Sequence, residues 1–179
     1  SLADLAAAAE TPRGTTALPL PGARVTLTAA VDRHTIPDRN VVGLIEIENN
    51  VADDAVIDLV DGLNAVVGPG TYDYVATGAV GTDAIKVAII YQPSTVSPVG
   101  THAILDSRLD PRFIDTKSRP VLAQSFTDSS GSAFTVAVNH LKSKGSDCDD
   151  VGDPDLGDGA GNCNVTRASA AEALVDWLA

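Results

Sequence analysis

Aromatic residues make up only 4% of this 179-residue chain, methionine is absent, and basic residues are half as numerous as acidic ones. Twelve Lys and Arg stand against 24 Asp and Glu, a net charge of −12 at pH 7. So acidic a surface repels nucleic acid unless metal ions or a local basic patch intervene, which argues against a passive DNA-binding module. It leaves room for an enzyme that holds phosphate through cations. With few aromatics, the core is expected to be built from Val, Leu, Ile and Ala. No apolar run approaches the length of a membrane span. The opening SLADLAAAAE has no basic n-region and carries Asp4 and Glu10, unlike a secretory signal. Walker glycine loops, G-x-S-x-G elbows and zinc-type Cys/His clusters are also missing from the sequence.

What is present suffices for one domain with a core: 44% hydrophobic and 20% charged residues describe a globular chain. Residues 1–22, broken at Pro12, Gly14 and Pro19–Gly22, read as a loosely attached lead-in with two helical turns over Ala3–Glu10. The domain proper is expected over 23–179. Arg24–Ala30 is a strand candidate, and Val41–Glu48 (VVGLIEIE) is an apolar run suited to a strand buried on both faces. Strict alternation along it would put Val42, Leu44, Glu46 and Glu48 on one face. Asp53–Val67 reads as a helix, capped by Asp53 or Asp54, with Val56, Leu59, Val60 and Leu63 along one stripe and Gly68 as its stop.

Further strands are expected at Ala84–Tyr91 and at Thr95–Leu105, the latter broken near Pro98-Val99-Gly100. Val121–Thr127 and Phe134–Asn139 flank the turn Asp128-Ser129-Ser130-Gly131 and read as an antiparallel hairpin. Thr166–Ala179 reads as a closing helix, with Ala170, Leu174, Trp177 and Leu178 on one face. Strands, two helices and hairpin connections together predict an α/β (α+β) sandwich.

The strand Phe134–Asn139 runs directly into His140, Lys142 and Lys144, an imidazole and two ammoniums at one strand end. That is a candidate anion site in an acidic chain, with an ordinary solvated strand end as the bland alternative. Glu46, on a strand end beside Glu48, offers a hard oxygen ligand of the kind Mg²⁺ takes together with water and phosphate. Arg119 could clamp an oxyanion, and His140 could hydrogen-bond phosphate or move a proton. Cys148 and Cys163 bracket an acidic, glycine-rich loop; an even pair in such a chain favours a disulfide and an oxidising compartment over free thiols. Within that loop Asp153, Asp155 and Asp158 invite a Ca²⁺ reading but fail the EF-hand pattern, because Asp158 stands where its glycine belongs.

Taken together and in order, VVGLIEIENN, GTDAIKVAIIYQP, SRPVLAQSF, FTVAVNHLKSKG and DGAGNCNVTRASAAEALVDWL resemble the secreted bacterial nucleases of the endonuclease/exonuclease/phosphatase superfamily, relatives of the DNase I type. The resemblance runs from about Val41 to Ala179. It implies part of a four-layer αββα sandwich that hydrolyses phosphodiesters with Mg²⁺ or Mn²⁺ outside the cell. By it, Glu46 corresponds to a metal-binding catalytic glutamate, His140 to a phosphate-contacting catalytic histidine, and Arg119 to an arginine near the scissile phosphate. Lys142 would add a second phosphate-binding cation. The family's G-D-x-N and S-D-H motifs are absent from these residues, so the resemblance implies a catalytically incomplete, amino-terminal portion whose open sheet edges favour self-association. Two other readings stay open: a phosphomonoesterase or lipid/inositol phosphodiesterase of the same superfamily, and a secreted Ca²⁺-binding or adhesion module.

One geometric expectation needs no family. Glu46 and His140 each follow an apolar strand, and parallel neighbours would bring those ends to one edge. Arg119 begins the hairpin partner of the strand that ends at His140, so all three are expected on one rim.

Overall fold

Runs rich in valine and isoleucine become strands in the computed structural model of the chain, which describes residues 15–20, 23–28 and 41–179. The chain forms two compact units, Ser1–Pro37 and Asp38–Ala179. In the first, β1 (Thr15–Leu20) and β2 (Ala23–Thr28) pair antiparallel, with Thr15 opposite Thr28 and Leu20 opposite Ala23. The strand expected near Arg24 is therefore present, and its partner comes from residues that read as lead-in. The helix expected over Ala3–Glu10 lies outside the described residues.

The second unit is mixed α/β, with two antiparallel three-stranded sheets and two helices. In one sheet β5 (Ile85–Tyr91) lies between β3 (Val41–Glu48) and the short β4 (Asp73–Tyr74). In the other, β7 (Arg119–Asp128) lies between β6 (Val96–Leu105) and β8 (Ala133–His140). The hairpin joining β7 to β8 closes as its turn residues dictate: the Asp128 carboxylate accepts the amides of Ser130 and Ser132, and Gly131 takes φ +83°. The break expected in β6 is a register shift between Val99 and Ala103 in an otherwise continuous strand.

Three apolar clusters order the layers. Val87, Ile89 and Tyr91 of β5 pack against Leu122 and Phe126 of β7, Val138 of β8 and Val96. Although aromatics are few, three of them sit in this cluster, with Phe126 5.4 Å from the Tyr91 ring and 5.8 Å from the Phe134 ring. On the other face of the first sheet, Ala88 and Ile90 receive Val56 and Val60 of α1 (Asp54–Val67). On the other face of the second, Leu105, Phe113 and Val121 receive Ala170 and Ala173 of α2 (Asn164–Leu178). Trp177 and Leu174 join this contact as expected, while Leu178 remains 49% exposed.

Two expectations for β3 need correction. Among the described residues it is an edge strand bonded only to β5, so Val42 and Ile45 are 43% and 53% exposed instead of buried on both faces. Its alternation also fails, because the register slips by one residue between Leu44 and Ile47. Leu44 and Ile47, three apart, both pack towards α1. Glu46 sits inside the slip and leaves the face that strict alternation would give it.

The loop after β8 is tied to α2 by a disulfide between Cys148 and Cys163, both fully buried and with Cα atoms 5.4 Å apart. The bridge closes 15 residues of an acidic segment that has little apolar surface to order it; in the chain-entropy picture such closure is worth about 3 kcal/mol. Alkylation without reductant is expected to leave both cysteines unmodified by intact mass, and reduction is expected to lower the urea midpoint. Two alkylated thiols in protein taken from an oxidising compartment contradict the bridge.

Candidate functional site

Glu46 adopts φ +60°, a left-handed backbone that a residue with a Cβ takes only at a cost of order 1 kcal/mol. The cause is the bulge: three residues of β3 from Leu44 to Ile47 span two of β5, Ala88 to Lys86. A second one-residue bulge lies in β7, where Arg119 to Leu122 spans His140 to Val138. Both bulges re-aim side chains at the same rim. Glu46 Oε1 comes 3.7 Å from His140 Nε2, and Arg119 stands directly opposite His140 in the β7–β8 register.

The expected convergence of Glu46, His140 and Arg119 is therefore present, by a different route. β3 and β8 are not parallel neighbours, since both sheets are antiparallel throughout. They belong to different sheets and meet face to face at Gly43. A Cβ built on Gly43 would stand 2.7 Å from Val138 Cγ2, closer than any real contact. The absent side chain lets the sheets approach here, and three residues further along Glu46 reaches His140.

The chemistry at the rim is uneven. The Glu46 side chain is 66% exposed, whereas those of His140 and Arg119 are only 20% and 16% exposed. Among the described residues, two of the buried nitrogens, His140 Nδ1 and Arg119 Nε, have no hydrogen-bond partner, and neither has Asn139 Oδ1 next door. A buried polar atom left unpaired costs about 1–3 kcal/mol, so such atoms cluster where a ligand or another group completes them. Lys142 follows His140 by two residues; its amide donates to the buried Ser118 Oγ, and its carbonyl accepts from Arg167. Asn162 N and the close approach of Gly161 hold Lys144 in turn, so the two lysines sit on a backbone braced by the disulfide-bonded loop.

Two residues important to the rim escaped sequence reasoning. Asp83 reaches across from the first sheet's loop, its Oδ2 3.0 Å from Arg119 Nη2. Asn49 pins that loop by donating to the carbonyls of Val80 and Asp83 and accepting from Val80 N. These contacts join residues 31 to 36 apart in loops, where no periodicity announces them. The loop is also held from below. Lys86, 1% exposed, ion-pairs with Asp53 and donates to Gly78 O and Thr77 Oγ1, while Asp53 accepts the amides of Thr77 and Gly78. Asp53 therefore does not cap α1 with its side chain, as the sequence suggested; Asn50 Oδ1 accepts the Asp54 amide instead.

The three carboxylates that invited a Ca²⁺ reading accept backbone amides. Asp153 accepts the Thr166 amide at 2.7 Å at the start of α2, and that donor holds its carboxyl below the usual range. Asp155 and Asp158 accept the amides of Gly157 and Ala160. Among the described residues no three His, Cys, Asp or Glu side chains gather as a preformed metal cage. Comparison with protein-family models, curated proteins and solved structures returned no match.

Burial by itself would raise the Asp53 carboxyl, but the Lys86 ammonium and the amides of Gly78 and Thr77 outweigh it and hold the group below its ordinary value. A depressed carboxyl stabilises the fold above the unfolded value of about 3.9, and that contribution fades as pH falls below it. Asp53→Asn, which strands a buried ammonium, is expected to cost about 3–5 kcal/mol at neutral pH. In urea titrations the gap to the parent should narrow below about pH 4. A gap of the same size at pH 3 and pH 7 contradicts the assignment. Gly43→Val is expected to force the sheets apart, lowering stability by about 1–3 kcal/mol; an unchanged urea midpoint contradicts the close approach.

Proposed function

We propose that this chain carries the phosphate- and metal-facing rim of a secreted nuclease, which hydrolyses phosphodiesters of DNA or RNA with Mg²⁺ or Mn²⁺. The observation that supports it most is the meeting of Glu46, His140 and Arg119 on one rim, with two unpartnered buried nitrogens among them. Packing in the order helix, sheet, sheet, helix also suits a four-layer αββα sandwich of the DNase I type.

The residues present fit a hard divalent cation. Mg²⁺ demands near-octahedral oxygen and keeps several waters, binding through one or two carboxylates plus substrate phosphate. The exposed Glu46 carboxylate is such a ligand, and the sparse donor set is what a substrate-completed ion needs. When bound, the ion would neutralise phosphate charge and lower the pKa of a coordinated water. In this reading His140 donates a hydrogen bond to a phosphate oxygen or moves a proton, and Arg119 and Lys142 meet the negative charge that grows in the transition state. Because the chain carries a net charge of −12, in this reading attraction for nucleic acid comes from the cations of this rim, with Lys144 beside it.

The test uses the protein expressed from its whole reading frame, with Mg²⁺, on plasmid DNA, RNA, a phosphodiester chromogen, a phosphomonoester and a phospholipid. Diester cleavage of nucleic acid is the expected result. His140→Ala is expected to lower kcat by about 10²–10⁴-fold with little change in the Mg²⁺ requirement. Glu46→Gln is expected to raise the Mg²⁺ needed, because an amide is a poorer ligand than a carboxylate. Hydrolysis of none of these, or hydrolysis indifferent to His140→Ala, overturns the reading.

A further inference from the structure

The Asp83–Arg119 ion pair joins the loop before β5 in the first sheet to the start of β7 in the second. Arg119 lies at the first position of β7, and only one edge of its guanidinium is occupied by Asp83. Its Nε is buried and has no partner among the described residues. The loop that delivers Asp83 is built to hold it there. Asn49 grips it at both Val80 and Asp83, Lys86 and Asp53 grip Thr77 and Gly78, and Gly81, at φ +68°, lies against Pro120. A Cβ at Gly81 would come within 2.9 Å of the Pro120 ring, so the loop seats directly on the residue after Arg119. Asn49 lies three residues beyond Glu46, so one short stretch of chain places the carboxylate of the rim and, through the loop, the guanidinium opposite it.

We propose that Asp83 is a positioning residue for Arg119: it holds the guanidinium by Nη2, so that the part of the group still exposed at the rim meets a substrate phosphate already oriented. The proposal rests on the phosphodiesterase reading for its substrate, but the hold itself does not. An unanchored arginine loses rotamer freedom each time it binds. One fixed by a carboxylate at a single edge meets the transition state without that loss. A carboxylate so close to the phosphate also works against ground-state anion binding, and the two effects separate in measurement.

The test has two arms. In ¹H–¹⁵N spectra of the protein as it stands, Arg119 Nε–H is expected to give a resolved resonance that shifts when inorganic phosphate is added. Asp83→Ala is expected to move it into the averaged arginine envelope, and Asp83→Asn, which keeps an oxygen acceptor, to restore it in part. In the kinetic arm, Asp83→Ala is expected to lower kcat by about 10- to 100-fold, without raising KM. A resonance unchanged in both variants overturns the hold, whatever the protein hydrolyses. An unchanged kcat with lower KM also overturns the proposal, making Asp83 a competitor of phosphate instead. If no phosphoester is turned over, the first arm alone decides: a resonance that averages in Asp83→Ala keeps the hold and rejects only the substrate.

Discussion

The candidate site depends on how closely two sheets approach at Gly43 and Val138. A side chain at Gly43 would collide with Val138, and without one β3 lies against β8 near its functional end. Everything at the rim follows from that approach. Glu46 comes within 4 Å of His140, and the loop of the first sheet reaches Arg119 of the second. The cost is a strand with exposed apolar residues and a left-handed glutamate. Strain and exposure of that kind concentrate where a fold serves a site instead of its own stability.

Much of the frame was legible in the sequence because its signals are local. The apolar run Ala84–Tyr91, the turn Asp128–Gly131 and the stripe through Val56 and Val60 each carry their own period or their own turn chemistry. The Cys148–Cys163 bridge was legible from composition, since an acidic loop with a matched pair of cysteines has few other ways to be ordered. Glu46, His140 and Arg119 were legible as residue types at strand ends. What brings them together was not, because a bulge leaves no mark on hydrophobic periodicity. Nor was Asp83, whose partner is 36 residues away and whose loop is placed by Asn49 and by a buried lysine inside an apolar run.

Lys86 shows why such a loop escapes periodicity. It lies inside the apolar strand AIKVAIIY and is among the most buried of the described residues. Its ammonium is tolerated because Asp53, Thr77 and Gly78 satisfy it. Replacing such a pair with apolar residues is often neutral for stability, so a buried ion pair is better understood by what it orients. Here it orients the loop that carries Asp83. The cluster thus links the residue before α1, the start of β5 and the loop that reaches the rim in one polar network.

The central claim is that a hard cation and phosphate meet at the Glu46–His140–Arg119 rim. Paramagnetic Mn²⁺, titrated with inorganic phosphate into isotopically labelled protein, tests it most directly through the distance-dependent broadening of side-chain resonances. The account predicts that Glu46 and His140 broaden first, that Arg119 follows, and that Glu46→Gln removes the effect. Broadening confined to the acidic loop between Asp147 and Asp158, with His140 left sharp, would contradict it.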